Sequence, residues 1–118
     1  MPNEAGKAVR IEFTPTFKRN LKALAKKYRH IRSDVQPIIE QLQTGDIPGD
    51  QVPGVGYTIF KVRIRNSDIQ KGKSSGYRMI YYLKTGDRII LITIYSKLDQ
   101  GDISSQRIQQ IIKELQES

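Results

Sequence analysis

Cysteine and tryptophan are absent from this 118-residue sequence, and histidine occurs once, as His30. Without cysteine there can be no disulfide and no thiolate metal site, and nothing supports secretion. A single imidazole would leave a zinc ion dependent on carboxylates, so no metal or other cofactor is expected. No apolar run approaches the roughly 20 residues of a membrane-spanning helix, and the N-terminus has no signal-peptide core. The expectation is a cytoplasmic protein with no membrane association. Acid is also scarce: 12 Asp and Glu stand against 20 Lys and Arg, a net charge of +8. Such an excess suits nucleic acid, an acidic protein partner, or both. The length and the 37% apolar content predict one domain over 1–118, with 1–6 as a tail.

What is present is unevenly placed. Tyr57–Lys97 holds Lys61, Arg63, Arg65, Lys71, Lys73, Arg78, Lys84, Arg88 and Lys97 against only Asp68 and Asp87, which accounts for seven of the eight net charges. This stretch reads as three strands. Phe60, Val62 and Ile64 alternate with Lys61, Arg63 and Arg65, so an apolar row lies back to back with a cationic one. One face is expected on the core and one open. After a polar loop containing KGKSSG, Arg78, Ile80 and Tyr82 share a face, and Tyr77, Met79, Tyr81 and Leu83 share the other. Lys84-Thr85-Gly86-Asp87 supplies a hairpin turn. Arg88–Tyr95 is nearly continuous apolar and β-branched sequence, as befits a central strand covered on both sides.

The flanks are helical. Lys7–Phe13 alternates as a short first strand, and Thr14-Pro15 gives an N-cap followed by proline at the first helical position. A helix to about Tyr28 then aligns Phe17, Leu21, Leu24 and Tyr28. Ser33 is placed to cap a second helix, with Pro37 in its first turn and Val35, Ile38, Ile39 and Leu42 on one stripe. Residues 44–56 form a Pro/Gly-rich loop, and Ser104–Gln116 a last amphipathic helix. The order β-α-α-β-β-β-α predicts an α+β fold: a mainly antiparallel four-stranded sheet, a helical hairpin on one face, and a C-terminal helix.

Cations from neighbouring strands repel each other and coexist only when solvated or when an anion sits among them. Arginine can grip a phosphate through two N–H groups, and lysine offers a point charge. RNA carries its own nucleophile, the 2′-OH, so cleaving it needs a base, positive charge on the transition state and an acid at the leaving oxygen. On this sheet those tasks would fall to Lys, Arg and Tyr. The alternative is a merely solvated outer face, with Tyr77, Tyr81 and Tyr95 as packing residues and His30 as an exposed linker.

The blocks F-K-V-R-I-R, G-K-S-S-G-Y-R-M-I-Y-Y and I-T-I-Y-S-K-L-D resemble the RelE/ParE superfamily of type II toxins, with a basic loop most similar to the HigB-like branch. The resemblance runs from Lys7 to about Leu115 and carries the same element order. It implies a ribosome-dependent mRNA endonuclease, acting on mRNA in the A site, with mRNA, ribosomal RNA and a small antitoxin that covers the basic sheet face as partners. By position it makes Lys61 the proton acceptor and Arg63 and Arg78 the groups that hold the phosphate and transition state. Lys97 becomes a phosphate contact or proton donor, and Arg65, Lys71, Lys73 and Tyr82 become RNA contacts. One departure stands out: some RelE toxins place a catalytic tyrosine shortly after the last basic position, where Asp99–Ile103 (DQGDI) has none. A ParE-like poison of DNA gyrase and a basic RNA-binding module without catalysis remain the alternatives.

Overall fold

The computed structural model describes residues 9–69 and 75–117. The expected tail, Lys71 and Lys73 lie outside the described residues. The chain folds as β1 (Arg10–Phe13), α1 (Pro15–Lys27), α2 (Ile31–Gln43), β2 (Asp50–Val52), β3 (Ile59–Ile64), β4 (Tyr77–Thr85), β5 (Arg88–Ser96) and α3 (Ser105–Glu117). The α+β architecture is the expected one, with a fifth strand added. The sheet runs β1-β5-β4-β3-β2, parallel between β1 and β5 and antiparallel elsewhere.

The extra strand is β2, which pairs Asp50–Val52 with Ile59–Lys61 inside the stretch expected to be loop. Three residues are too few to display a period of two, and the flanking glycines hide them. Gly49 has φ +94°, and a Cβ there would run into the Lys61 carbonyl, so glycine is what lets this edge close on β3.

The first helix begins as its sequence predicts. Thr14 is extended, its hydroxyl accepts from the Phe17 N–H at 2.9 Å, and Pro15 opens the helix. The same hydroxyl donates to the Ile92 carbonyl at 2.7 Å, tying the helix start to the middle of the sheet. The second helix starts three residues earlier than expected, at Ile31, with His30 in place of Ser33 at its cap position. Ser33 does not cap it; its hydroxyl donates to the His30 carbonyl within the first turn, and Pro37 falls inside the helix. Ile31 is fully buried, and its packing, not the local capping signal, fixes where the helix begins.

Each sheet face has its own core. On one, α1 and α2 bring Phe17, Ile31, Val35 and Leu42 against Val62, Ile64, Tyr77, Met79, Tyr81 and Leu91. On the other, Ile108, Ile111 and Ile112 of α3 cover Ile59, Ile80, Ile90, Ile92 and Tyr95. The face opposite the hairpin is therefore not open along its whole length: α3 seals part of it and leaves the basic end. Ser104 caps α3, its hydroxyl accepting from the Arg107 N–H at 3.1 Å.

Candidate functional site

The basic end is assembled by strand register. Arg63 on β3 stands directly opposite Arg78 on β4, which stands opposite Tyr95 on β5. Residues directly opposite each other on neighbouring strands project from the same face. Lys61 precedes Arg63 by two residues, on the same side. Arg65 follows two beyond, just past the end of β3, and is exposed.

Lys97 reaches this face through an irregularity. The β4–β5 register slips between Ile80 and Tyr81, so that Ile92 is an extra residue in β5. Before the slip, Ile90 and Ile92 face α3 while Ile89 and Leu91 face the helical hairpin; after it, Tyr95 faces α3 and Ile94 the hairpin. Thr93, opposite Ile80, accepts from the Asn20 side chain at 2.8 Å. A β-bulge thus reverses the alternation and aims Tyr95 and Lys97 at the basic face. The G-Y-R block completes the placement. A Cβ on Gly76 would strike the Ile64 carbonyl, and the Gly76 carbonyl accepts the Lys97 N–H at 3.0 Å. The glycine brings β4 close to β3 and pins the end of β5 beside it.

The result is a basin with a buried floor. Arg78 is only 5% exposed, with Nη1 donating to the Tyr77 carbonyl at 3.2 Å. Its charge therefore acts through protein rather than through bulk water, where it would be heavily screened. Lys61 and Lys97 form the rim, with side chains 34% and 27% exposed. Arg63 is exposed and has no salt-bridge partner among the described residues. It also lines, with Lys61, Gly49 and Asp50, a groove of about 340 Å³ along the outer edge of β3.

The structure also brings in two residues that sequence reasoning left out. Asp102, in the connection to α3, places Oδ1 3.1 Å from Lys97 Nζ and 3.9 Å from Lys61 Nζ. The Lys97 ammonium, hydrogen-bonded to this carboxylate, holds Asp102 below the usual carboxylate range, with Lys61 adding to the effect. The Tyr95 hydroxyl lies within 3.5 Å of the same oxygen and accepts from the Ile103 N–H at 3.4 Å. Burial raises its pKa above that of a free phenol, so at neutral pH it is a hydrogen-bond donor. The sequence signal for Asp102 is an acid five positions beyond Lys97, with nothing local to tie it to that lysine.

The remaining expectations divide. Tyr82 lies toward the other end of β4, opposite Ile59, edge-on to Tyr57 at 5.4 Å and packed on the core under α3. The structure does not bring it into the basin. His30 is exposed in the α1–α2 turn, as expected, and is also a fastening: its N–H donates to Asp68 at 2.9 Å, and Nδ1 lies 2.6 Å from the second carboxylate oxygen. Asp34 accepts from the Ser67 N–H at 2.9 Å, so the α1–α2 turn fastens the chain where it leaves β3. No group of His, Cys, Asp and Glu able to hold a metal occurs among the described residues, and none of their helices is long and apolar enough to cross a membrane.

A mixed sheet with a helical hairpin on one face and, on the other, a cluster of cations beside a terminal helix defines a small α+β protein with one cationic face. The sequence profile for the RelE toxin of RelE/RelB toxin–antitoxin systems matches residues 9–117, and the chain belongs to that family. A comparison with curated proteins gives no match. As a member of this family the protein is the toxin of a toxin–antitoxin pair, which gives it an antitoxin as a partner.

Proposed function

We propose that this toxin is an endoribonuclease that cuts mRNA in the ribosomal A site. The observation that carries the reading is the convergence of Lys61, Arg63, Arg78 and Lys97, from three strands, on one face. Lys61, acting as the neutral amine, takes the proton of the 2′-OH as that oxygen bonds to the adjacent phosphorus and the P–O5′ bond breaks, leaving a 2′,3′-cyclic phosphate. Arg63 and the buried Arg78 stabilise the charge that builds on the phosphate oxygens. Lys97 neutralises the far side and gives a proton to the departing 5′-oxygen, which leaves as a 5′-hydroxyl. Backbone contacts dominate affinity, and the ribosome presents the codon unstacked.

The test is cleavage of a reporter mRNA in a translating extract, mapped by primer extension. Lys61→Ala is expected to slow cleavage by roughly 10²–10³-fold, the usual worth of a proton-transfer group. Arg78→Lys, which keeps the buried charge but loses the planar fork, is expected to cost about tenfold or more. Cleavage undiminished in folded Lys61→Ala overturns the assignment of the base. Inhibited DNA supercoiling with intact mRNA would favour the gyrase-poison alternative. Binding without cleavage would favour a module without catalysis.

A further inference from the structure

The three donors at the rim of the basin do not point outward at random. Lys61 Nζ, Lys97 Nζ and the Tyr95 hydroxyl, from two strands, all converge on a single atom, Asp102 Oδ1, at 3.9, 3.1 and 3.5 Å. A carboxylate and a phosphodiester each present two oxygens sharing one negative charge, so donors arranged for one suit the other. We propose that Asp102 occupies the position of a substrate phosphate oxygen, and that the resting toxin is self-occluded until an RNA strand displaces this carboxylate. The proposal rests on the basin being a phosphate site. It adds Tyr95 to the groups that receive the phosphate and gives Asp102 an inhibitory part.

The connection between β5 and α3 is built for such an exchange. Asp99, at its start, is fastened away from the basin: it takes Lys27 Nζ at 2.5 Å and lies within 3.4 Å of the Tyr28 hydroxyl. At its far end Ser104 caps α3. Between these points lie Gln100, Gly101, Asp102 and Ile103, the last held by its N–H on the Tyr95 hydroxyl, and a Cβ on Gly101 would meet nothing within 4 Å. The Asp102 side chain is 58% exposed, so its ion pairs are the weak, displaceable kind. Held there, it offsets the two ammonium charges that would otherwise repel each other across the empty rim.

Asp102→Asn keeps the shape and removes the competing charge. The probe is a short single-stranded RNA made uncleavable by 2′-O-methylation, with binding followed by fluorescence anisotropy over a salt series. The variant is expected to bind about two- to fivefold more tightly, the range open to an exposed ion pair. Its log K against log salt is expected to be steeper, because solution anions gather at the lysines left without a carboxylate and leave when RNA arrives. Glu114→Gln, the same charge change on the exposed side of α3, is the control. Equal tightening by Glu114→Gln overturns the proposal, as does unchanged affinity and slope in Asp102→Asn. So does a 10²-fold loss of mRNA cleavage in Asp102→Asn, which would make Asp102 a proton-transfer group. Lys61→Ala separates the two levels. If it weakens RNA binding while Asp102→Asn changes nothing, only the occlusion fails; if neither variant alters binding, the phosphate basin itself is wrong.

Discussion

The two faces of the sheet are built to different standards. Under α1 and α2 the contact is predominantly apolar, with Phe17, Ile31, Leu42, Tyr77, Met79 and Tyr81 essentially inaccessible. Under α3 the apolar cover stops partway, and the same strands turn cationic where the helix ends. One face is committed to stability, and the other divides its area between holding a helix and holding charge. Three expectations would break or sharpen that contrast.

The largest effect belongs to the sealed face. Leu42→Ala is expected to cost about 2–5 kcal/mol in urea unfolding, since a fully buried leucine leaves a cavity its neighbours fill poorly. A loss well under 1 kcal/mol would mean that the hairpin face is looser than its burial indicates. Next comes α3. Its single apolar stripe is expected to open locally, so its amides should exchange with solvent faster than those of α1 and α2 in native-state hydrogen exchange. Equal protection of all three helices would erase the contrast.

The smallest effect concerns acid. Glu12 is held below the usual carboxylate range chiefly by its hydrogen bond from Arg88, Asp68 by the His30 backbone N–H and imidazole, and Asp102 by Lys97. A lowered carboxylate contributes stability that is present above its unfolded pKa and lost as pH falls through its folded one. The melting temperature is therefore expected to hold steady from neutrality to about pH 5 and to decline below about pH 4. Glu12→Gln should make that decline shallower. A melting temperature that rose on acidification would contradict all three assignments.

Much of this was legible in the residues. The alternation of β3 and β4 placed Lys61, Arg63 and Arg78 on one face because strand periodicity is a local property. Thr14-Pro15 announced its helix for the same reason. What could not be read depended on distant partners. Ile31 starts α2 because of what it packs against, and β2 exists only because β3 offers it an edge. The bulge at Ile92 aims Lys97 at the basin, but a continuous apolar run gives no hint of a phase change. Asp102 and Tyr95 meet seven positions apart, across the irregular chain that follows β5, so neither looked like part of a site.

The parallel pairing of β1 with β5 sets Ile11 beside Ile89 and Phe13 beside Leu91. Among the described residues the earliest strand thus pairs with the latest one. A parallel pairing closed by so long a connection is expected to form late in folding, after β5 has found β4. The cations of β3 and β4 wait on the same event, because Lys97 stands beside them only once β5 is in place.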